Sequence, residues 1–267
     1  MEGMRVMRSL KKLSIKLLSF AYSNLVIIVL LALWQLLPSL GLLKIAYVST
    51  PYEVFISILT MAHNGELKVH LLISLERILS GLIMAIIFAV PLGLFIGRFI
   101  RIEQLLDPIL QLSRQISALA LFPVFILFFG IGETSKVVII FWACLWPVLI
   151  NTISGVKGVD PLYIKSVLTM GATKRMVFTK VILPASMPPI LTGIRLASAY
   201  AVMVLVAAEM IGANSGLGFL VTNSQETFKI PQMYAAIVLL ALLGVILNFI
   251  IYGIEKKITS WQESVVW

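Results

Sequence analysis

His63, Glu66 and His70 stand at i, i+3 and i+7, a spacing that on one helix face offers three ligands to a metal ion. Gly65 interrupts that helix, so the three read as solvated residues of a connection and no metal site is expected. Cys144 is the only cysteine and lies inside an apolar run, with no second thiol for a disulfide and no nearby histidine to activate it. Packing is its expected role. No G-x-x-x-x-G-K-[ST] phosphate loop occurs, and Gly216-Leu217-Gly218 lacks the third glycine and the preceding strand that a dinucleotide fold needs. No nucleotide or other cofactor is expected on the chain itself, and it is not expected to be an enzyme. If it moves a solute uphill, the energy comes from an ion gradient or from another polypeptide docked on it.

What chemistry remains is charge in apolar surroundings. Arg77, Arg114, Arg195 and Glu209 all fall inside apolar stretches, where a charge near a bilayer centre costs about 2.5–3.5 kcal/mol even on lenient insertion scales. Such groups need partners or water. Arg77 and Glu209 share a predicted depth near the outer ends of their helices, which suggests a gate pair whose charge swap would restore function in part. Arg114 and Arg195 are basic groups for a bundle interior or an aqueous path. All four are candidates for the translocation path or its gate.

The elements that must position them follow from composition. Of 267 residues, 60% are hydrophobic and 12% charged, against roughly a quarter charged in a soluble domain, and the mean hydropathy is +1.04. This is the composition of an integral membrane protein. Charge-free runs at 17–43, 78–97, 115–132, 137–156 and 230–254 can each cross a hydrocarbon core of about 30 Å as a helix. A sixth span is hidden by Arg195 and Glu209. The expected fold is therefore all-α and polytopic, with six transmembrane helices at roughly 20–40, 74–97, 107–129, 136–155, 188–211 and 233–253.

The net charge of +9 is spread over short connections rather than gathered on one basic face, so it is a topology signal and not a nucleic-acid footprint. With the N-terminus inside, the inner segments hold fourteen Lys and Arg, and the outer loops hold four: Lys44, Lys68, Lys136 and Lys229. That asymmetry puts both termini in the cytoplasm. The 27-residue run behind the basic segment is too long for a cleaved signal peptide and is expected to be a retained first helix. The chain divides into a basic cytoplasmic tail (1–19), a first transmembrane helix with an external loop helix (20–73), a five-helix core (74–253) containing a cytoplasmic loop (156–187), and a cytoplasmic C-terminal tail (254–267).

Two connections carry helix signals of their own. Thr50-Pro51-Tyr52-Glu53 has the form of a capping box opening a short external helix that ends near Asn64-Gly65. In the inner loop, Asp160-Pro161 starts one helix, Gly171 permits a left-handed turn, Thr173 caps a second helix and Pro184 stops it. Span two carries Gly81, Ala85, Ala89, Gly93 and Gly97, a ridge of small residues for close approach of another helix within the bundle rather than at a subunit interface. Pro91 and Pro147 are expected kinks.

The inner loop is also where the sequence becomes specific. Gly171-Ala172-Thr173 followed by Val181-Ile182-Leu183-Pro184 resembles the EAA loop of permease subunits of binding-protein-dependent ABC importers. Ser74-Leu75-Glu76-Arg77, Pro91-Leu92-Gly93, Phe129-Gly130-Ile131-Gly132-Glu133-Thr134-Ser135-Lys136, Thr192-Gly193-Ile194-Arg195-Leu196 and the stretch from Ala208 to Gly218 are similar, in matching order, to the aliphatic sulfonate, taurine and nitrate permease group. The likeness runs from about Trp34 to Tyr252. It implies a type I ABC importer permease in a bacterial or archaeal cytoplasmic (inner) membrane, paired with a second permease subunit as a homodimer. It also implies two cytoplasmic ABC ATPases that hold the ATP and Mg, and an extracytoplasmic solute-binding protein. The EAA loop would be the coupling helix seated on the ATPase, through Lys165, Ser166, Val167, Met170, Gly171, Ala172 and Pro184.

The chain departs from the family in two places. Lys165-Ser166-Val167 stands where the family has Glu-Ala-Ala, which reverses a charge and enlarges two small positions. A proline common in span three falls at Ser117, which should remove a kink.

The competing readings are an ion-coupled secondary transporter, which should show inverted repeats and midplane carboxylates, and a membrane-embedded enzyme, which needs convergent acid, base or metal groups. The sequence offers Glu209 alone well inside a span, with Glu76 and Asp107 at helix ends, and no convergent cluster. For the solute, the basic residues and the group likeness point to a small anion such as a sulfonate, taurine or nitrate, although relatives of the group also import uncharged or cationic vitamin precursors.

Overall fold

A computed structural model of the chain describes residues 25–26, 28–40 and 47–260. The basic segment 1–19, part of the first expected span, Lys44 and the last seven residues lie outside the described residues. The described residues fold as helices joined by short connections, with no strand among them. In chain order these are α1 (Ile28–Ser39), α2 (Pro51–His63), α3 (Glu66–Arg98), α4 (Ile100–Gln115), α5 (Ala118–Phe129), α6 (Glu133–Lys157), α7 (Pro161–Thr169), α8 (Lys174–Val177), α9 (Leu183–Gly212), α10 (Leu217–Glu226) and α11 (Ile230–Ile258).

Among the described residues four stretches are long and apolar enough to cross a membrane: α3, α6, the path Lys174–Gly212 that ends in α9, and α11; α4 and α5 make a fifth if that bent pair is one span. Helices dominate because a backbone surrounded by hydrocarbon must satisfy its own N–H and C=O groups, which an apolar helix does within one segment. The side chains facing outward are correspondingly apolar, with Leu127 and Phe128 85% and 79% exposed.

The core is a three-helix layer with α6 between α3 and α9; α10 and α11 pack on α9. Small residues set how closely these helices approach. A Cβ built on Gly81 would meet Ile140 at 2.5 Å, one on Gly93 would meet Thr152 at 2.6 Å, and one on Gly97 would meet Val156 at 2.8 Å. The ridge on α3 thus faces α6 of the same chain. From the other side of α6, Gly155 meets Pro189 and Gly193 of α9 meets Asn151. Cys144 is buried in this layer, its Sγ–H directed at the Ala197 carbonyl 3.3 Å away.

Local signals hold where they depend on a few neighbouring residues. The Thr50 hydroxyl accepts from the Glu53 N–H, and the Glu53 carboxylate accepts from the Thr50 N–H at 3.0 Å. Bonds from the Thr50 N–H and the Ser49 hydroxyl hold the Glu53 carboxyl below its ordinary value. Its contribution to stability is therefore present at neutral pH and is lost as pH falls below the usual carboxylate range. Asp160 caps α7 through the Leu162 N–H at 2.8 Å, and Thr173 caps α8 through the Met176 N–H. Gly65 and Gly171 take the left-handed backbone at φ +75° and +84°. Pro91 and Pro147 lie inside helices that continue across them.

Several expected boundaries move. Residues 66–73 are the first two turns of α3 rather than loop, because the helix restarts at once after Gly65. Span three is not one helix over 107–129: α4 and α5 meet at 92°. Ile116 and Ser117 are extended (φ −70°, ψ 120° and φ −62°, ψ 121°), so two residues in this conformation make the kink without the family's proline. Pro184 does not stop the second short helix. The turn Phe178–Ile182 is a π-helix in which the Leu183 N–H reaches back to the Phe178 carbonyl, and the wider register carries the chain past Pro184 into α9. Span six continues to Ile258. The ten-residue α10 has no counterpart among the expected elements.

Candidate functional site

One end of the bundle is fastened by an ionic cluster that is buried except at Glu133. His70, Ser74 and Arg77 lie at i, i+4 and i+7 on α3, and they meet Glu133 and Lys136 from the first turn of α6, Glu209 near the end of α9, and the start of α10. Arg77, 2% exposed, donates through Nε and Nη2 to the two carboxylate oxygens of Glu133, each at 2.6 Å. Its Nη1 donates to Glu209 Oε1 and to the Ser215 carbonyl, each at 2.7 Å. Glu209, fully buried, also accepts from the Ser74 hydroxyl at 2.8 Å and from the Gly218 N–H at 2.7 Å. Lys136 Nζ lies 3.3 Å from Glu133. Two cations and two carboxylates balance, and every charge has a partner, the condition for burying charge at all.

The same cluster caps α10. The Gly216 N–H donates to His70 Nδ1 at 3.0 Å, the Leu217 N–H to the Ser74 hydroxyl at 2.8 Å, and the Gly218 N–H to Glu209. The N–H groups that a helix start leaves open are thus satisfied by side chains of α3 and α9. The glycines make this close approach feasible. Gly216 sits at φ +116°, a Cβ there would fall on the Glu209 carboxylate, and one on Gly218 would lie 2.8 Å from the Glu209 Cβ. Gly216-Leu217-Gly218 is a cradle for a carboxylate of its own chain.

A second feature is a cavity of about 550 Å³ at the break between α4 and α5, walled by α6 and α9. Arg114, Gln115, Ser117, Trp142, Trp146, Asn151 and Tyr200 line it together with apolar residues, and among the described residues no carboxylate lines it. Trp142 and Trp146 pack edge to face, with ring centroids 5.1 Å apart.

The third feature is the helix pair of α7 and α8, which stands out from the bundle and joins α9 through the π turn. Lys165 and Ser166 are exposed, Val167 and Ala172 half-buried, and Met170 is 84% exposed at the tip beside Gly171. Val177 and Ile182, with Val156 and Val159, form a small core of their own beneath the pair.

Of the charged candidates, Arg77 and Glu209 are brought together and Arg114 lines the cavity. Arg195 is elsewhere. Its Nη1 lies 3.2 Å from Glu255 Oε2 and its guanidinium 6.0 Å from the Tyr252 ring, so it belongs to the contact of α9 with α11. His70 is a capping acceptor rather than a solvated loop residue, and Lys136, counted with the outer loops, is 3% exposed. Glu133, Ser74 and His70 were not singled out for the ionic cluster. The polar i, i+4, i+7 face on α3 is the available signal, but the hydropathy pattern starts the expected helix at Ser74 and leaves His70 off it.

Residues 89–260 match the family described as the binding-protein-dependent transport system inner membrane component. The chain is 34% identical over 242 residues to the taurine transport system permease protein TauC of Escherichia coli (strain K12), covering 89% of this chain and 88% of that one. It is 33% identical over 236 residues to the putative aliphatic sulfonates transport permease protein SsuC of Bacillus subtilis (strain 168), covering 88% and 86%. In fold it is similar to the MetNI methionine ABC transporter in an inward-facing conformation, with a TM-score of 0.61 at 17% identity, covering 71% of this chain and 94% of that one.

Proposed function

The chain belongs to the inner membrane components of binding-protein-dependent transport systems, and from that membership we propose that it is the permease that forms the path for a small anionic solute such as a sulfonate, taurine or nitrate, driven by separate ATPases. The observation that carries this reading is the projecting pair α7 and α8, which continues through the π turn into α9. A chain without a phosphate loop gains a handle by which a cytoplasmic motor can move a membrane helix. On this reading Lys165, Ser166, Val167, Met170, Gly171 and Ala172 face the ATPase, and Pro184 lies where the handle joins the span. ATP and Mg stay on the partner subunits. Closure of two ATPases on each other draws two such handles together and tilts the bundles between inward-open and outward-open states, the second permease being another copy of this chain.

The relatives named for taurine and aliphatic sulfonates support an anionic solute, as does a cavity with Arg114 and no carboxylate. Ion coupling is less well supported. Glu209, the carboxylate well inside a span, is fully engaged by Arg77, Ser74 and Gly218.

Purified alone, the chain should hydrolyse no ATP; with its ATPase it should hydrolyse ATP faster once loaded binding protein is added. Specific hydrolysis by this chain alone would sink the reading. Calorimetry on the binding protein identifies the solute, and a neutral ligand there would remove the anion from the proposal.

Gly171→Val tests the handle. A Cβ at Gly171 meets nothing within 4 Å, so the cost is one of backbone alone, about 1–2 kcal/mol for a left-handed residue bearing a side chain. Insertion in the membrane should be intact, while ATP hydrolysis loses its coupling to transport or the ATPase is released. Wild-type coupling would show that the turn at Gly171 transmits nothing. Lys165→Glu asks what the exposed Lys165 meets. Weaker assembly points to an acidic partner surface, and no change to a solvated side chain. Stronger assembly with faster transport would mean a basic groove and contradict both accounts of Lys165.

A further inference from the structure

The cavity at the α4–α5 break has a composition that the fold does not require. Arg114 makes no ion pair among the described residues, and no carboxylate lines the space around it. The side chains of Trp142 and Trp146 form part of the wall, with their Nε1 atoms buried away from the space. In addition, the N–H groups of Ala118 and Leu119 that open α5 beside Arg114 have no backbone partner among the described residues. A guanidinium with no lining carboxylate therefore stands next to aromatic faces, in a space large enough for a small solute.

We propose that this cavity is an intramembrane station for a small organic anion, its charged head held at Arg114 and its apolar part laid against Trp142 and Trp146. The proposal rests on the transport reading and adds to it a place and a set of residues. The broken span supplies the geometry: at the 92° bend the end of α4 and the start of α5 border one space. Arg114 discriminates by charge, and the indoles by the presence of a carbon chain behind the head.

The test uses a probe that carries the ligand's chemistry whatever the native solute is. In the full chain in lipid nanodiscs, with Cys144→Ser keeping the donor to Ala197, Ser117→Cys places a thiol in the cavity lining. 2-Sulfonatoethyl methanethiosulfonate is attacked at its sulfenyl sulfur by the thiolate. The new S–S bond forms as the S–SO2 bond breaks, and methanesulfinate leaves with the electron pair. The trimethylammonium analogue reacts identically but is cationic.

After each rate is divided by that of a free thiol in solution, the sulfonate reagent should react about tenfold or more faster than the cationic one, as expected for a cleft of single-signed charge. Arg114→Gln should bring the ratio close to one, and Arg114→Lys should keep most of it. Ala118→Cys repeats the measurement if Ser117→Cys is poorly folded. A ratio unchanged by Arg114→Gln, a preference for the cation, or no labelling at either position by either reagent overturns the proposal. A neutral solute on the binding protein, with the ratio behaving as expected, would remove the anion from the transport reading and leave this station standing.

Discussion

Arg77→Ala is expected to cost about 3–5 kcal/mol and to leave little folded protein, because removing one partner of a buried pair strands the other charge. Glu209 is fully buried and would keep its carboxylate with only Ser74 and Gly218 to hold it. The start of α10 rests on that carboxylate, so α10 should loosen with it. Sequence depth alone suggested that exchanging Arg77 and Glu209 would restore function in part. The geometry predicts that it will not. The Glu209 site is built of donors, the Ser74 hydroxyl and the Gly218 N–H, and Gly216 closes it at a distance that admits no longer side chain. The arginine site is shared with Glu133, whose two oxygens grip Arg77 at 2.6 Å, and a glutamate at 77 would face it as a like charge. Glu133→Gln should be milder, since the Glu133 side chain is 63% exposed and water can replace part of what is lost. Thermal unfolding of the purified chain, followed by size exclusion in detergent, measures each variant. A melting temperature unmoved by Arg77→Ala, or recovery in the exchanged variant, would contradict this account.

Gly93→Leu should severely damage the ridge that joins α3 to α6. Glycine inside a helix is ordinarily a liability of about 1 kcal/mol against alanine, so its presence mid-span needs a compensating gain. That gain is contact. The backbone of α3 comes so close that a Cβ on Gly93 would stand 2.6 Å from the Thr152 Cβ and 3.1 Å from the Leu149 carbonyl oxygen. The Thr152 hydroxyl is bonded to the Val148 carbonyl at 2.7 Å, and α6 is held on its other face by α9, so neither helix can yield cheaply. Overpacking of this kind costs about 1–3 kcal/mol in soluble cores for a few added methylenes, and leucine adds a branched side chain against backbone. Gly93→Ala combined with Thr152→Gly moves the small residue to the opposite helix and should recover much of what Gly93→Ala alone loses, a coupling visible in a double-mutant cycle. Gly130→Ala is the comparison, because a Cβ there meets nothing and only its φ of +76° is strained. Equal yields of folded protein from Gly93→Leu and the parent chain would show that α3 and α6 do not need this contact.

These two sites mark what could be read from the residues in order and what could not. The apolar runs led to α3, α6, α9 and α11, and short capping signals to α2, α7 and α8. Both kinds of signal act within a turn or two of chain, where Thr50 reaches Glu53, Asp160 reaches Leu162 and Gly171 takes its own φ. The small-residue ridge was legible as a contact surface, but its partner was not, since nothing on α3 names Ile140, Thr152 or Val156. The break at Ile116 and Ser117 was missed because its usual marker, proline, is absent and the bend is stabilised by packing against α6. The passage through Pro184 was missed because a π turn leaves no pattern in composition. The ionic cluster shows the limit most clearly. Arg77 and Glu209 were paired by depth, yet Glu133, 56 positions from Arg77, and the capping of α10 by residues as far as 146 positions away depend on three helices being docked. Sequence by itself determined which apolar segments become helices, since local hydrogen bonding and an apolar surround suffice for that, whereas α10, whose start is capped by α3 and α9, was not among them. Which charges meet, where the third span breaks, and that Arg195 turns to α11 while Arg114 is left facing a cavity were decided only by the tertiary structure. Those outcomes minimise unpaired buried charge over the whole bundle, and no short window of sequence contains that sum.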